Sequence, residues 1–183
     1  MLSTPWGIAD YQEQLAEGII SCSTSSHGGI YVSPELNVKI HEAWRTKDGF
    51  YEEDCEWGVV AFTFPEAFPK DNRADIIKHL KNWMPSDYMA ATGEQVTEDE
   101  SYILSKECFQ TRNANNYLPL SAFGDWHEKV PEGFVAVHAG RGGRLSSGMF
   151  PEDTKYFLVP ASEYRVGDFV IDEARHKEIP AFN

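Results

Sequence analysis

The chain has 183 residues, of which 42% are hydrophobic and 13% aromatic, a composition that suits one globular domain and excludes an intrinsically disordered chain. Its 29 acidic and 16 basic residues give a net charge of −13, and a field of that sign repels nucleic-acid phosphates and anionic membrane surfaces. We therefore expect no direct nucleic-acid or membrane binding, and a surface that is either simply well solvated or attractive to a basic partner.

Three further features bear on the compartment. No apolar stretch approaches the roughly 20 residues of a membrane span, and the first residues lack the basic and apolar regions of a secretory signal. Three cysteines form an odd, sparse set that is typical of a reducing environment. The sequence thus predicts a cytoplasmic protein, with residues 1–183 as a single domain.

The first third of the chain predicts a short helix and then a β-hairpin. A helical pattern covers residues 9–16, and strands are predicted in residues 18–22 and 30–32. Between these strands, residues 23–29 form a polar loop that ends in glycine, and loops of this kind on rigid strands often carry sites.

Residues 50–64 are ambiguous. The leading acidic residues suit a helix N-terminus, whereas residues 59–64 suit a buried strand equally well. Because Pro65 would stop a helix, the helical interpretation is favoured.

The middle of the chain predicts a helix in residues 73–83, a short turn or helix in residues 85–91 and a helix from the acidic run at 98–100 to about Arg112. Asp71 or Asn72 can cap the first of them, and Thr97 opens a capping box for the last. The C-terminal third changes character, with short β-rich runs in residues 133–137, 156–159 and 168–171. Together these elements predict an α+β fold with a mainly antiparallel sheet and a central helical segment.

The first candidate site is the loop segment Ser26, His27, Gly28 and Gly29. The two glycines permit positive φ angles and close approach of a ligand, so their N–H groups could form an anion-binding nest. His27 adds a side chain whose ordinary pKa lies near neutrality. The alternative is a tight connection that needs glycine and leaves His27 exposed.

The second candidate is the acidic run Glu52, Glu53 and Asp54. Three consecutive carboxylates normally form a solvated helix end. The functional alternatives are ligation of a hard cation or general acid–base catalysis, in which His27 is the acid/base and Glu53 or Asp54 orients it.

Other cysteine and histidine chemistry has little support. Cys22, His27, His41 and Cys55 lack the spacing of zinc ligands, so we expect no metal and no cofactor. Cys22 lies near His27, but the chain contains no G-x-S-x-G motif. A hydrolase therefore stays an open alternative without a supporting motif.

The third candidate is the glycine-rich loop that carries Arg141 and Arg144. Guanidinium groups suit phosphate or carboxylate ligands. The loop lacks both the P-loop and the dinucleotide-binding spacing, so no nucleotide-binding class is indicated. The alternative is a mobile turn with solvated arginines.

Four segments occur in an order that resembles a domain family of unknown function: residues 4–9 (TPWGIA), 23–30 (STSSHGGI), 51–57 (YEEDCEW) and 156–160 (YFLVP). That family is found on bacterial plasmids and phages, often among conjugation and antirestriction genes, and the similarity extends from Thr4 to about His176. The resemblance implies an accessory protein of a mobile element, and it implies that the His27 loop and residues 52–54 share one site. It implies no activity, because the family has no settled one.

These observations favour a non-enzymatic protein that binds a host or element protein, although an enzyme and a homodimer both stay open. The most concrete version is a counter-defence inhibitor, similar to antirestriction or anti-CRISPR proteins, whose acidic surface occupies the nucleic-acid groove of a defence protein. The alternative is a small-ligand protein that binds or hydrolyses a phosphate-bearing, nucleotide-like molecule. Its site would consist of Ser26, His27, Gly28, Gly29, Arg141 and Arg144.

Overall fold

A computed structural model describes residues 2–182 and confirms the α+β class. The chain divides into two compact units, Met1–Ser105 and Lys106–Asn183. We call these the first and the second unit. The single domain that the sequence predicts stays a prediction. No helix within residues 2–182 has the length and the apolar character needed to cross a membrane.

The first unit contains a short β-ribbon and a four-stranded antiparallel sheet. The ribbon pairs β1 with β2, and the sheet has the order β3-β4-β5-β6. The strands are β1 Ser3–Thr4, β2 Gly7–Ile8, β3 Tyr11–Ala16, β4 Ile19–Ser23, β5 Gly28–Val32 and β6 Phe50–Glu52.

The helix expected in residues 9–16 is wrong, because most of this segment is strand β3. Gly18, two residues after the end of β3, adopts a left-handed φ of +75°, and the resulting tight turn folds β3 back onto β4, with Glu13 opposite Ser21. The hairpin hydrogen bonds thus override a short and weak helical pattern.

The helices are α1 Pro34–Asn37, α2 Trp57–Thr63, α3 Arg73–Trp83, α4 Pro85–Thr92 and α5 Tyr102–Arg112, with 3₁₀ turns at Pro65–Ala67 and Glu98–Glu100. The predicted start and end of α3 are confirmed, and the Asn72 side chain caps it by accepting the N–H of Ala74 at 2.9 Å. The Thr97 capping box is confirmed as well, although it opens a 3₁₀ turn ahead of α5.

The helical interpretation of residues 50–64 holds for part of the segment, whereas the alternative strand over residues 59–64 is wrong, because α2 covers residues 57–63. The helix is confirmed as α2, and the 3₁₀ turn that follows it begins at Pro65. It is wrong for residues 50–56, where β6 pairs with β5 and the acidic run follows in a turn.

The core of the first unit lies between its sheet and its helices. Tyr51 of β6, Val59 and Val60 of α2 and Leu80 of α3 are fully buried in one hydrophobic cluster. Burying side chains of this size contributes about 1.5–3 kcal/mol each, so β6 and α2 are attached to the rest of the unit by its most buried residues.

The second unit has a four-stranded antiparallel sheet in the order β10-β9-β8-β7. Its strands are β7 Tyr117–Phe123, β8 Phe134–Arg141, β9 Thr154–Pro160 and β10 Lys177–Ile179.

Strands near 133–137 and 156–159 are confirmed as β8 and β9. The strand expected in residues 168–171 is wrong, because the backbone of this segment is irregular. Its last residue, Ile171, is nevertheless buried. The sequence missed β7, which contains Pro119 at an irregularity in its pairing.

The two faces of β8 in the second unit differ in character. Val137 points into a buried cluster with Tyr117, Phe157 and Val159. His138 lies on the opposite face, 9% exposed, and its ring stacks on that of Tyr156 with centroids 4.5 Å apart. Burial lowers the pKa of His138.

Close packing explains one of the two glycines of β5. A Cβ on Gly29 would collide with the indole of Trp6 and with the carbonyl oxygen of Tyr51. A Cβ on Gly28 would meet mainly the carboxylate of Glu53, which is the mobile end of a side chain. The backbone at Gly29 therefore cannot accept a side chain without movement, whereas the nearest neighbour of Gly28 can give way.

We expect Gly29→Ala to lower the free energy of unfolding by about 1–3 kcal/mol, the usual cost of overpacking a tight site. The matched variant Gly28→Ala should cost clearly less. Chemical denaturation of both variants and the wild type checks this, and equal losses for the two would contradict the packing argument.

The lowered pKa of His138 has a consequence for stability. In the folded chain this imidazole stays neutral at pH values where an unfolded histidine, with a pKa of about 6.5, is already protonated. Its contribution is therefore fully present above about pH 6.5 and is lost as the pH falls below that value. We expect His138→Phe, which keeps an aromatic ring against Tyr156, to lose less stability than the wild type on acidification.

Thermal or urea unfolding between about pH 8 and pH 5 measures this difference. A parallel decline of the His138→Phe variant would show that His138 makes no such contribution.

Candidate functional site

The loop that carries His27 is shorter than the sequence predicts. β4 ends at Ser23 and β5 begins at Gly28, so that only residues 24–27 connect them. Thr24 closes this connection: its N–H donates to the carbonyl oxygen of His27 at 2.7 Å, and its hydroxyl donates to the same oxygen at 3.0 Å. The His27 backbone is thereby held in place, while its side chain and that of Ser26 are exposed.

The two glycines of this segment form no anion nest. Gly28 and Gly29 lie in β5 opposite Ser23 and Cys22, and neither adopts a positive φ. Their backbone N–H and carbonyl groups belong to an extended strand. The nest alternative is therefore wrong for these glycines. Gly29 is small because Trp6 and the backbone of Tyr51 approach it, whereas the nearest group to Gly28 is the mobile carboxylate of Glu53.

The pairing of β5 with β6 brings His27 beside the acidic run. Gly29 lies opposite Glu52, and the N–H of Glu53 donates to the carbonyl oxygen of Gly28 at 3.2 Å. One ligand atom each of His27, Glu52 and Glu53 lie within 4.8 Å of one another. We call these three residues the His27 cluster; Asp54 is not part of it.

A buried tyrosine fixes the strand that carries these carboxylates. The hydroxyl of Tyr51 donates to Oδ1 of Asn37 at 2.6 Å and accepts the N–H of Thr46 at 3.3 Å. Asn37 in turn donates to the carbonyl oxygen of Thr46 at 2.8 Å. Burial raises the pKa of Tyr51, so it is a neutral donor at physiological pH. Sequence reasoning missed Asn37 and Thr46, because neither belongs to a recognisable motif.

Hydrogen bonds within the acidic turn hold the Glu52 carboxylate. Its Oε2 accepts the N–H of Asp54 at 2.8 Å and that of Cys55 at 3.3 Å. The N–H of Glu52 itself donates to Glu56 at 3.0 Å. One oxygen of Glu52 is thus occupied by the backbone, and the other is available to the cluster.

The cluster adjoins a small groove of about 250 Å³, lined by Ser21, Cys22, Ser23, Gly29, Ile30, Glu53 and Trp57. Among the residues that the structure describes, no hydrogen bond joins the His27 ring to Glu53 or Asp54. The orientation of His27 that acid–base catalysis needs is therefore not supplied by either carboxylate.

A known family covers the first unit and the first residues of the second. The model of a domain of unknown function (DUF7007) matches residues 1–114, more than half of the chain. The chain belongs to this family. The DUF7007 match contains the whole His27 cluster and ends just after α5, so the segment at 156–160 lies outside it. No curated protein and no solved structure matches the chain.

The arginines proposed for ligand binding lie in the second unit, beyond the DUF7007 match. Arg141 forms an ion pair with Asp153, with Nε 2.6 Å from Oδ2, and donates to the carbonyl oxygen of Asn115 at 2.7 Å. Hydrogen bonds from Tyr117 and Arg141 lower the pKa of Asp153. Most of the Arg141 guanidinium is thus used within its own unit.

Arg144 also has internal partners. It donates to the carbonyl oxygen of Gly148 at 2.9 Å, and its guanidinium carbon lies 4.6 Å from the ring centre of Phe150. The units are described separately, so a site that combines these arginines with His27 stays a prediction.

Cys22 is poorly placed to act as a nucleophile. Its thiol is buried and donates to the carbonyl oxygen of Gly29 at 3.6 Å. Burial raises the pKa of Cys22, whereas a nucleophilic cysteine needs a lowered pKa and an accessible sulfur. The geometry does not support a cysteine hydrolase at this position.

We expect native Cys22 to resist alkylation by iodoacetamide at about pH 8 and to react fully after unfolding, because the attacking species is the thiolate. Peptide mass spectrometry of native and denatured samples measures the labelling at each cysteine. Stoichiometric labelling of Cys22 in the native protein, at a rate similar to that of a free thiol, would contradict this interpretation.

Proposed function

We propose that this DUF7007 protein is a non-enzymatic accessory protein that binds a basic partner protein through its first unit. The observation that carries this proposal is the distribution of charge. Residues 1–105 contain eighteen acidic and seven basic residues, a net charge of −11, whereas residues 106–183 contain eleven and nine, a net charge of −2. Nearly all of the excess negative charge thus belongs to one unit.

The acidic groups of the first unit are also accessible. None of its eighteen Asp and Glu residues is buried. Both edge strands of its sheet carry some of them, with Glu13 on β3 and Glu52 on β6. Charged edge strands resist pairing with other strands, so this surface favours contacts between side chains over strand addition.

A surface of this charge is complementary to the groups that bind nucleic-acid phosphates. The partner that we propose is therefore a host or element protein with a basic, nucleic-acid-binding face. The resemblance to families of phages and plasmids supports a counter-defence role in the cytoplasm. A homodimer is compatible with this function and is not required by it.

The small-ligand alternative has less support. It needs guanidinium groups that are available to a phosphate, and Arg141 and Arg144 already bind a carboxylate or carbonyl oxygens within the second unit. Among the described residues, no carboxylate is hydrogen-bonded to the His27 ring, so a reaction there would have no orienting group. Binding of a macromolecular partner is the function that the charge distribution supports best.

We expect partner binding to depend on salt and on the acids of the first unit. Surface charges act over about 10 Å at about 0.1 M salt and about 3 Å at about 1 M, so a captured partner should be released at the higher concentration. The test variant replaces four exposed acids of the first unit with their amides: Asp10, Glu13, Glu17 and Asp54.

The control variant makes the same change in charge in the second unit, at Glu128, Glu132, Glu152 and Asp168. The tagged wild type and both variants are used to capture partners from a host lysate, and nucleic acid is then added as a competitor. Loss of the partner with the first variant alone, and displacement by nucleic acid, are the expected results. Equal capture by both variants, or no partner retained at low salt, would refute the proposal.

A further inference from the structure

We propose that the His27 cluster binds a divalent transition-metal ion. This departs from our expectation that the chain holds no metal, which rested on the spacing of cysteines and histidines. The donors that the fold brings together are instead one imidazole and two carboxylates, within 4.8 Å of one another. The inference is independent of the proposed partner binding.

The donors come from separate segments that the backbone holds side by side. His27 follows β4 and is fixed by Thr24, while Glu52 ends β6 and Glu53 follows it. Metal–ligand bonds of about 2.0–2.2 Å place two ligands of one ion roughly 3–4 Å apart. The ligand atoms of the cluster lie within 4.8 Å of one another, so binding requires them to move closer by about 1 Å, and the side chains of His27 and Glu53 are exposed.

A cation would supply the positive partner that these carboxylates lack within the described residues. Within residues 2–182, no lysine or arginine forms an ion pair with Glu52, Glu53 or Asp54. The carboxylate of Glu53 accepts no hydrogen bond in the described structure, and it lies against the backbone of Gly28 beside the His27 loop. Three adjacent negative charges without a positive partner repel one another, and a bound cation would remove that repulsion.

The donor set selects the class of metal. Ca²⁺ and Mg²⁺ prefer oxygen ligands alone, whereas imidazole suits Zn²⁺ and other first-row transition metals, which also accept carboxylates. Three protein ligands leave a coordination position open, as in zinc sites with an exchangeable ligand. Glu53 also lines the groove of about 250 Å³, so a small molecule held there would lie close to the ion.

The test is calorimetric titration of the full chain with Zn²⁺, and with Ca²⁺ for comparison. We expect one Zn²⁺ per chain, and an affinity at least about tenfold lower in His27→Ala and in Glu53→Gln. Mutation of a residue that only hydrogen-bonds a metal ligand already lowers metal affinity by about 10–100-fold, so loss of a ligand itself should cost no less. His41→Ala and Glu35→Gln, which change exposed residues of the same unit outside the cluster, should bind as the wild type does.

Gly28→Ala supplies an independent test of geometry. It keeps all three donors, but its added methyl group takes the place of the Glu53 carboxylate, so Zn²⁺ affinity should fall while circular dichroism shows a folded chain. Addition of Mn²⁺ should broaden the NMR signals of the His27 ring more strongly than those of the His41 ring. Equal Zn²⁺ affinity in the wild type and His27→Ala, an equal loss in His41→Ala, or Ca²⁺ binding as tight as Zn²⁺ binding would overturn the proposal.

Discussion

The antiparallel pairing of β5 with β6 is the constraint on which both the core of the first unit and the His27 cluster depend. It sets Ile30 opposite Tyr51 and Gly29 opposite Glu52. Tyr51 is fully buried and hydrogen-bonded to Asn37 and Thr46, so a slip of one residue would turn its ring out of the core and reverse every side chain on β6. The position of the carboxylates at the end of this strand is therefore a consequence of a buried tyrosine, and it needs no contact among the carboxylates themselves.

The parts of the fold that could be predicted are those whose signals are local. Helix α3 has a capping residue directly before it and an apolar face, and both can be read without knowledge of the rest of the chain. The strands β3 and β7 were not predicted, because their signals are not local. β3 is a strand because a hairpin turn pairs it with β4, and β7 is a strand despite Pro119 because β8 pairs with it on both sides of an irregularity. Whether a segment forms a strand depends on its partner strand as much as on its own residues. A local sequence pattern therefore does not predict the pairing.

Some features of the candidate site could be predicted from the sequence, and others could not. That His27 and the acidic run belong together was implied by the family resemblance, and the structure brings two of the three acids to it. The roles of the glycines could not be predicted, because the same residue serves a left-handed turn or a close approach, and the distinction requires knowing that Trp6 and Glu53 lie over β5. Asn37 and Thr46 were missed since their importance comes only from the hydroxyl of Tyr51, which reaches them through the core.

The negative charge of the first unit favours both proposed interactions, partner binding and metal binding, but the two can be tested separately. A field from a net charge of −11 attracts any cation, a basic protein surface or a metal ion alike, and it raises the local concentration of both near exposed carboxylates. Such attraction is diffuse: it depends on the sum of many charges, is screened by salt, and changes little when one group is removed. Coordination depends on a few donor atoms at fixed positions, and an imidazole contributes to it without adding negative charge. His27 therefore separates the two effects, because its loss leaves the field almost unaltered and takes away the one nitrogen donor of the cluster.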